Sequence, residues 1–318
     1  MTLGEKTPEE EILRVDTDYV DPFTRRIYEQ AGAITFIGNL ALLGAKGVVA
    51  YASGSSAIYA DAANSASDVA YSILMIIGLW VALRPPDESH PHGHRRFEPL
   101  VSVLIGLMMA LAGVQAARTG FFAWREGPEP ITSTWAYLIP VITVIIKGGM
   151  YLRVRHIAES VDSTALAASA RDNLSDVVAS GMALVGVVGS RLLFAEADPL
   201  AAFAVSLWIL RAAWDVLHLA VRQLTGGAAP PELTQAVIDA VRSVPDIDDV
   251  HQVIIEYVGP QVRADIHINM SGDASLDETH RVSDEVRAAV EALREVDHAF
   301  VHVEPSSLDD EDSRVEIE

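Results

Sequence analysis

Two pairs of oxygen-bearing side chains interrupt apolar stretches of the chain at the same spacing. Asn64 and Asp68 stand in the run Ala60-Asp-Ala-Ala-Asn64-Ser-Ala-Ser-Asp68-Val, and Asp172 and Asp176 in Ala168-Ser-Ala-Arg-Asp172-Asn-Leu-Ser-Asp176-Val. Residues at i and i+4 lie one above the other on a helix face. Each pair therefore projects together. If the two helices pack, three carboxylates and one amide carbonyl converge. Uncompensated acids at bilayer depth cost about 3 kcal/mol each even on the mildest scale, a cost that a bound divalent cation or protons would relieve. Polar interruptions at corresponding places in two spans point to a shared binding site in a transporter. The plainer alternative is a buried ion pair of Asp172 with Arg171 or Lys147, which leaves the repeated spacing unexplained. Lys147 itself reads as a partner for Asp172 or Asp215, or as a side chain reaching for the membrane interface. Asp61, one helical turn before Asn64, reads as a packing residue or as part of an entry path.

The elements that must position these groups follow from charge and hydropathy. The chain has 318 residues, half of them hydrophobic, yet carries a formal charge of −21. Residues 1–22 hold seven acids and two bases, residues 226–318 hold 22 and six, and residues 23–225 hold 15 of each. A neutral apolar middle between acidic ends describes a membrane protein with soluble extensions. It excludes nucleic acid as a partner, because a phosphate backbone attracts basic surface. There is no cysteine, which removes disulfides, thiolate metal sites and thiol nucleophiles. Lysine is scarce, with only Lys6, Lys46 and Lys147 against 20 arginines; an acidic, lysine-poor surface suggests a high-salt cytoplasm.

Six spans of about 20 residues each, the length a bilayer requires, are expected at 31–52, 56–83, 99–122, 134–152, 164–193 and 199–222. Arg25, Arg26, Arg84, Arg95, Arg96, Arg153, Arg155 and Arg222 flank one side of this set, and Arg118, Arg125 and Arg191 the other. The arginine-rich side is cytoplasmic by the positive-inside rule, so both termini are expected there. The acidic segment 1–24 reads as a cytoplasmic tail, 25–225 as the transmembrane domain, 226–306 as a soluble domain and 307–318 as an acidic disordered tail.

Within the soluble domain, Pro231 can open a helix to about Ser243. Residues 249–258 and 261–270 read as strands, 275–295 as a helix and 298–304 as a third strand. The order α-β-β-α-β predicts a ferredoxin-like α+β fold. His251 begins the first strand, His267 sits on the polar face of the second, His280 opens the second helix, and His302 and Glu304 share a face of the third. In such a fold these elements approach one another, offering four imidazoles and a carboxylate, enough for one or two zinc-type sites. His156, His218 and His298 read as structural.

Spans two and five, with Pro86-Asp-Glu-Ser-His90-Pro-His-Gly-His94 and Val301-His302-Val-Glu304-Pro, resemble the cation diffusion facilitator family over about residues 25–306. The resemblance implies a divalent-metal/proton antiporter of six helices with a cytoplasmic ferredoxin-like domain, acting as a homodimer in the cell membrane. It maps the transport site to Asn64, Asp68, Asp172 and Asp176. It maps a loop metal site to Asp87, His90 and His94, with His92 as a further imidazole. His251, His267, His280, His302 and Glu304 map to a cytoplasmic metal site at the dimer interface. Zinc-transporting members place a histidine among the four transport ligands, whereas Asp172 holds that place here, and the all-oxygen set suits a hard cation such as Mn²⁺. The expected function is therefore export of Mn²⁺ in exchange for protons, with Zn²⁺, or Fe²⁺ or Co²⁺, as the alternative substrate. No cofactor is expected beyond divalent ions bound as substrate or as regulators. A membrane-anchored metal sensor is the remote alternative, and it leaves acids at bilayer depth without a purpose. A membrane hydrolase is disfavoured because the chain has no H-E-x-x-H pair and no nucleophile constellation; an ATPase phosphate loop is also missing.

Overall fold

The computed structural model describes residues 22–53, 56–126, 135–192 and 196–306. The expected acidic tails, 1–21 and 307–318, lie outside the described residues. The chain forms two compact units that divide at Arg222.

The first unit contains six long helices: α1 (Pro22–Ser53), α2 (Ser56–Ala82), α3 (Phe97–Glu126), α4 (Trp135–Val161), α5 (Thr164–Leu192) and α6 (Ala197–Leu224). Four overrun their apolar spans, α1 and α4 the most. α1 starts nine residues before its expected span, and α4 continues nine residues beyond position 152, where Arg155 and Glu159 pair along one face at 2.7 Å. Among the described residues, α1, α2, α3, α4 and α6 are long and apolar enough to cross a membrane. α5 does not reach that composition because Arg171, Asp172, Asn173, Ser175 and Asp176 crowd one stretch. Its length still suits a span whose polar side faces other helices.

Large apolar residues line the outside of this unit. Ile37, Val48, Leu111, Ile145, Leu152 and Leu207 are each more than 60% exposed, a surface that water would penalise and hydrocarbon accepts. The interior is mixed. Tyr71, Met75 and Leu79 of α2 pack with Val101, Ile105 and Met109 of α3, Val154 of α4, Leu166 of α5 and Ile209 of α6. Beside them lie buried polar groups: Thr35, Asn39 and Lys46 on α1, Ser65 and Ser72 on α2, Lys147 on α4, and Ser169, Asn173 and Ser175 on α5. Helices pack closely where a side chain is missing. A β-carbon on Gly38 of α1 would clash with the Met150 sulfur of α4.

The second unit continues with α7 (Pro231–Arg242), β1 (Asp249–Val258), β2 (Gln261–Met270), α8 (Leu276–Glu291) and β3 (Val296–Pro305). The sheet order is β1-β2-β3, with β2 antiparallel to β1 and parallel to β3. That is the arrangement expected of α-β-β-α-β, since α8 supplies the crossover a parallel neighbour needs. Ser275 caps α8 by accepting from the Glu278 N–H at 3.3 Å, as serine at this position should. α8 ends four residues before the expected Glu295, because the chain must turn at Ala292 to start β3 at Val296, opposite Val262. Val237, Val241, Val282, Val286 and Val290 from the helices pack onto Ala264, Ile266 and Ile268 of β2. The helices cover one sheet face. The alternate residues form the other face, among them Arg263, Asp265, His267 and Asn269 of β2 and Phe300, His302 and Glu304 of β3.

Candidate metal sites

Inside the helical unit, three helices meet at one ammonium. Lys147 of α4 is 1% exposed. Its Nζ lies 2.6 Å from Asp176 Oδ2 on α5 and 3.3 Å from Asp68 Oδ2 on α2. The expectation that Lys147 neutralises an acid on a neighbouring helix holds, but the acids it contacts are Asp176 and Asp68, with Asp172 in electrostatic reach and Asp215 engaged elsewhere. Its side chain is buried among the helices, and its charge is shared by the second member of each pair. Arg171 turns instead to Asp215 of α6, 3.6 Å away, where Arg211 also reaches at 3.2 Å. Asp172 therefore has no ion pair with Arg171. It is half-buried and within electrostatic reach of Asp68, Asp176 and Lys147. Asp61 and Asn64 lie on α2, but their side chains fall outside the described residues.

The backbone around Asp68 is tied down from α1. Asn39 Nδ2 donates to the Asp68 carbonyl at 3.3 Å and to Ser72 Oγ at 2.8 Å, and Ser72 Oγ donates to the same carbonyl at 2.7 Å. A second buried knot holds the start of α5. Glu98, in the first turn of α3 and 4% exposed, accepts from Tyr28 Oη at 3.2 Å, from the Ala165 N–H at 3.2 Å and from Ser163 Oγ. Ser163 in turn accepts from the Leu166 N–H at 3.1 Å. One carboxylate so joins α1, α3 and the N-terminus of the helix carrying Asp172 and Asp176, where the helix dipole favours a negative charge. Sequence reading passed over Asn39 and Glu98. The signal was available, because a polar residue inside an apolar span, as Asn39 is, or at its margin, as Glu98 is, needs a partner.

The loop between α2 and α3 gathers Asp87, His90 and His94, with candidate ligand atoms within 4.8 Å of one another. Asp87 Oδ1 lies 3.5 Å from His90 Nδ1, and Oδ2 lies 3.4 Å from His94 Nε2. The N–H groups of His90 and Ser89 donate to Oδ1 at 2.7 and 2.9 Å. Those bonds, the His90 one foremost, hold the Asp87 carboxyl below the usual carboxylate range, and His94 and His90 add to the effect. His94 is buried and its Nδ1 has no hydrogen bond. His92 is exposed and stands outside this trio.

In the second unit, Glu304 of β3 collects three imidazoles on the open sheet face. Its carboxylate lies 3.5 Å from His251 Nε2, 3.3 Å from His267 Nδ1 and 3.2 Å from His302 Nε2. The pairings of His267 with His302 and of Asn269 with Glu304 across β2 and β3 set this arrangement. His251 arrives by a different route. It occupies a β-bulge, since Val250 pairs with Ile268 and Gln252 with His267 while His251 pairs with neither. A bulge re-aims the extra residue, and here its Nδ1 meets Asn269 Oδ1 at 2.6 Å. Asn269 is a positioning group that sequence reading did not single out. His280 is not brought to this cluster within one protomer. It is 76% exposed and pairs with Asp284 along its own helix at 3.5 Å. His298 pairs with Glu291 at 3.0 Å, and His218 stacks on Trp214.

Residues 33–225 match the cation efflux transmembrane domain, and residues 229–306 match the cytoplasmic domain of cation efflux proteins. The chain is 29% identical over 281 residues to the manganese efflux system protein MneS of Bacillus subtilis, covering 87% of this chain and 95% of that protein. It is 30% identical over 280 residues to metal tolerance protein C1 of Arabidopsis thaliana, covering 83% of this chain and 59% of the relative. Among solved structures, a nickel form of a MamM CTD variant is similar to 24% of this chain and 98% of its own, at 22% identity and a TM-score of 0.23.

Proposed function

Because the chain belongs to the cation efflux family, whose members move metal ions across membranes and are not enzymes, we propose that it exports Mn²⁺ from the cytoplasm in exchange for protons, through Asn64, Asp68, Asp172 and Asp176. The observation that carries the reading is the sharing of one cationic group by Asp68 and Asp176, from two different helices. Two carboxylates that can close on an ammonium can close on a metal ion. With Asp172 and the Asn64 amide they would make an oxygen-only set, and such sets favour Mn²⁺ over metals that prefer imidazole. The similarity to a manganese efflux protein supports the same choice. Protons compete for the same carboxylates, so metal release on the far side and protonation are two halves of one exchange. Both termini face the cytoplasm in this reading, and Glu304 with His251, His267 and His302 binds a regulatory ion there. His280 joins this assembly only from the dimer. The loop trio Asp87, His90 and His94 is a further ion site.

Proteoliposomes loaded with a metal-sensitive dye and given a pH gradient test the proposal. Mn²⁺ flux should exceed Zn²⁺, Fe²⁺, Co²⁺ and Cd²⁺ flux and should collapse when the gradient does. Asp68→Ala and Asp176→Ala should each abolish flux in protein that still inserts. Near-normal flux in either variant would refute the site.

A further inference from the structure

Two of the chain's three lysines lie inside the helical unit: Lys46 on α1 and Lys147 on α4, 8% and 1% exposed. The third, Lys6, belongs to the N-terminal segment, and arginine does every other cationic task. The two cations differ physically. Arginine spreads its charge over a planar fork, whereas an ammonium is a compact point charge on a flexible stem. Lys147 puts that point charge between Asp176 and Asp68, at 2.6 and 3.3 Å, and Lys46 acts on Asp68 from α1. Two ammonium groups thus stand against the three carboxylates Asp68, Asp172 and Asp176.

We propose that Lys147 is a tethered counter-cation of the transport site, which a divalent ion must displace from Asp68 and Asp176 and which a monovalent ion cannot. This rests on the aspartates being the transport ligands. Na⁺ or K⁺ would bring a single charge to oxygens that already hold one, would forfeit the hydrogen bonds of the ammonium, and would have to shed its own water. The exchange gains nothing. A divalent ion brings twice the charge to the same oxygens, and attraction in a poorly solvated site grows with that charge. The flexible stem lets the ammonium withdraw. When the metal leaves, the ammonium returns, so the carboxylates do not face one another bare. Lys147 is therefore a specificity-determining residue and not a ligand.

Full-length Lys147→Met protein in detergent provides the first test, by equilibrium dialysis with Mn²⁺. Loss of the competing cation should tighten Mn²⁺ binding about ten-fold or more, and excess Na⁺ should now compete with Mn²⁺ where it does not in the parent protein. A folded Lys147→Met protein with unchanged or weaker Mn²⁺ binding and no Na⁺ competition overturns the proposal. A second measurement needs no variant to fold. Acetylation of Lys147 in the unaltered chain, followed by mass spectrometry, should rise when Mn²⁺ saturates the site, and equal labelling with and without Mn²⁺ overturns the proposal as well. If instead Asp68→Ala or Asp176→Ala retains Mn²⁺ binding and flux, the ligand assignment fails and takes this inference with it. If both variants lose binding while Lys147→Met matches the parent, only the tethered cation fails.

Discussion

Replacing Glu98 by alanine should loosen the helix that carries half of the transport site. The Glu98 carboxylate accepts from Tyr28 Oη, Ser163 Oγ and the Ala165 N–H, all in a buried setting. Alanine leaves those donors without an acceptor, and a buried unsatisfied donor costs about 1–3 kcal/mol. Taking the low end for each, the loss is about 3 kcal/mol, or about 6–12 °C in melting temperature for a unit of this size. Glu98→Gln keeps a carbonyl oxygen for Ser163 and Ala165 and should recover most of the difference. Intrinsic-fluorescence melting of detergent-purified protein reads the stability, and the Mn²⁺ flux assay reads the consequence for α5. Flux should fall in the order parent, glutamine, alanine. An alanine variant that melts within about 2 °C of the parent would show that the knot does not anchor α5, since a loss that small is under about 1 kcal/mol.

Asp172→His should move preference from Mn²⁺ toward Zn²⁺, because imidazole replaces a hard oxygen; an unchanged flux ratio would remove the ligand-softness argument. In the cytoplasmic unit, ions at Glu304, His251, His267 and His302 should draw two copies together against their acidic charge, which salt screens over about 8–10 Å. Scattering from residues 226–318 with metal and with chelator checks this, and identical particle dimensions would count against it. Asn269→Ala should weaken that response by freeing the His251 ring. The Asp87 carboxyl is held below its ordinary value, so the turn it makes with Ser89 and His90 gains stability above about pH 4 and loses it only as pH falls through the lowered value. Amide exchange at Ser89 and His90 should stay slow down to about pH 5, and early loss of protection near pH 6 would contradict the assignment.

Much of this was legible in the chain. Strict alternation over 261–270 marked both faces of β2, because its side chains have a two-residue period and one face is buried. The paired acids of spans two and five were visible because charge inside an apolar run has few explanations. What stayed hidden depends on contacts between distant residues. No local pattern tells that Lys147 meets Asp68 and Asp176, 79 and 29 positions away, while Arg171 turns from its neighbour Asp172 to Asp215. The bulge at His251 also escaped, since a ten-residue strand reads the same with or without one unpaired residue. Nor does the element order tell that His280 of α8 turns to Asp284 within the protomer, away from the sheet cluster.

The bulge has a consequence for how such a cluster is gained and lost. Because Val250 already faces Ile268 and Gln252 already faces His267, deleting His251 would close β1 into an unbroken ladder with every remaining pair in register. The hydrophobic side of the sheet would not feel the change. A one-codon deletion is therefore a cleaner way to remove this imidazole than any substitution, and the reverse insertion is a route by which a plain sheet could have acquired it. The histidine can come and go by indel while the fold beneath it is inherited intact.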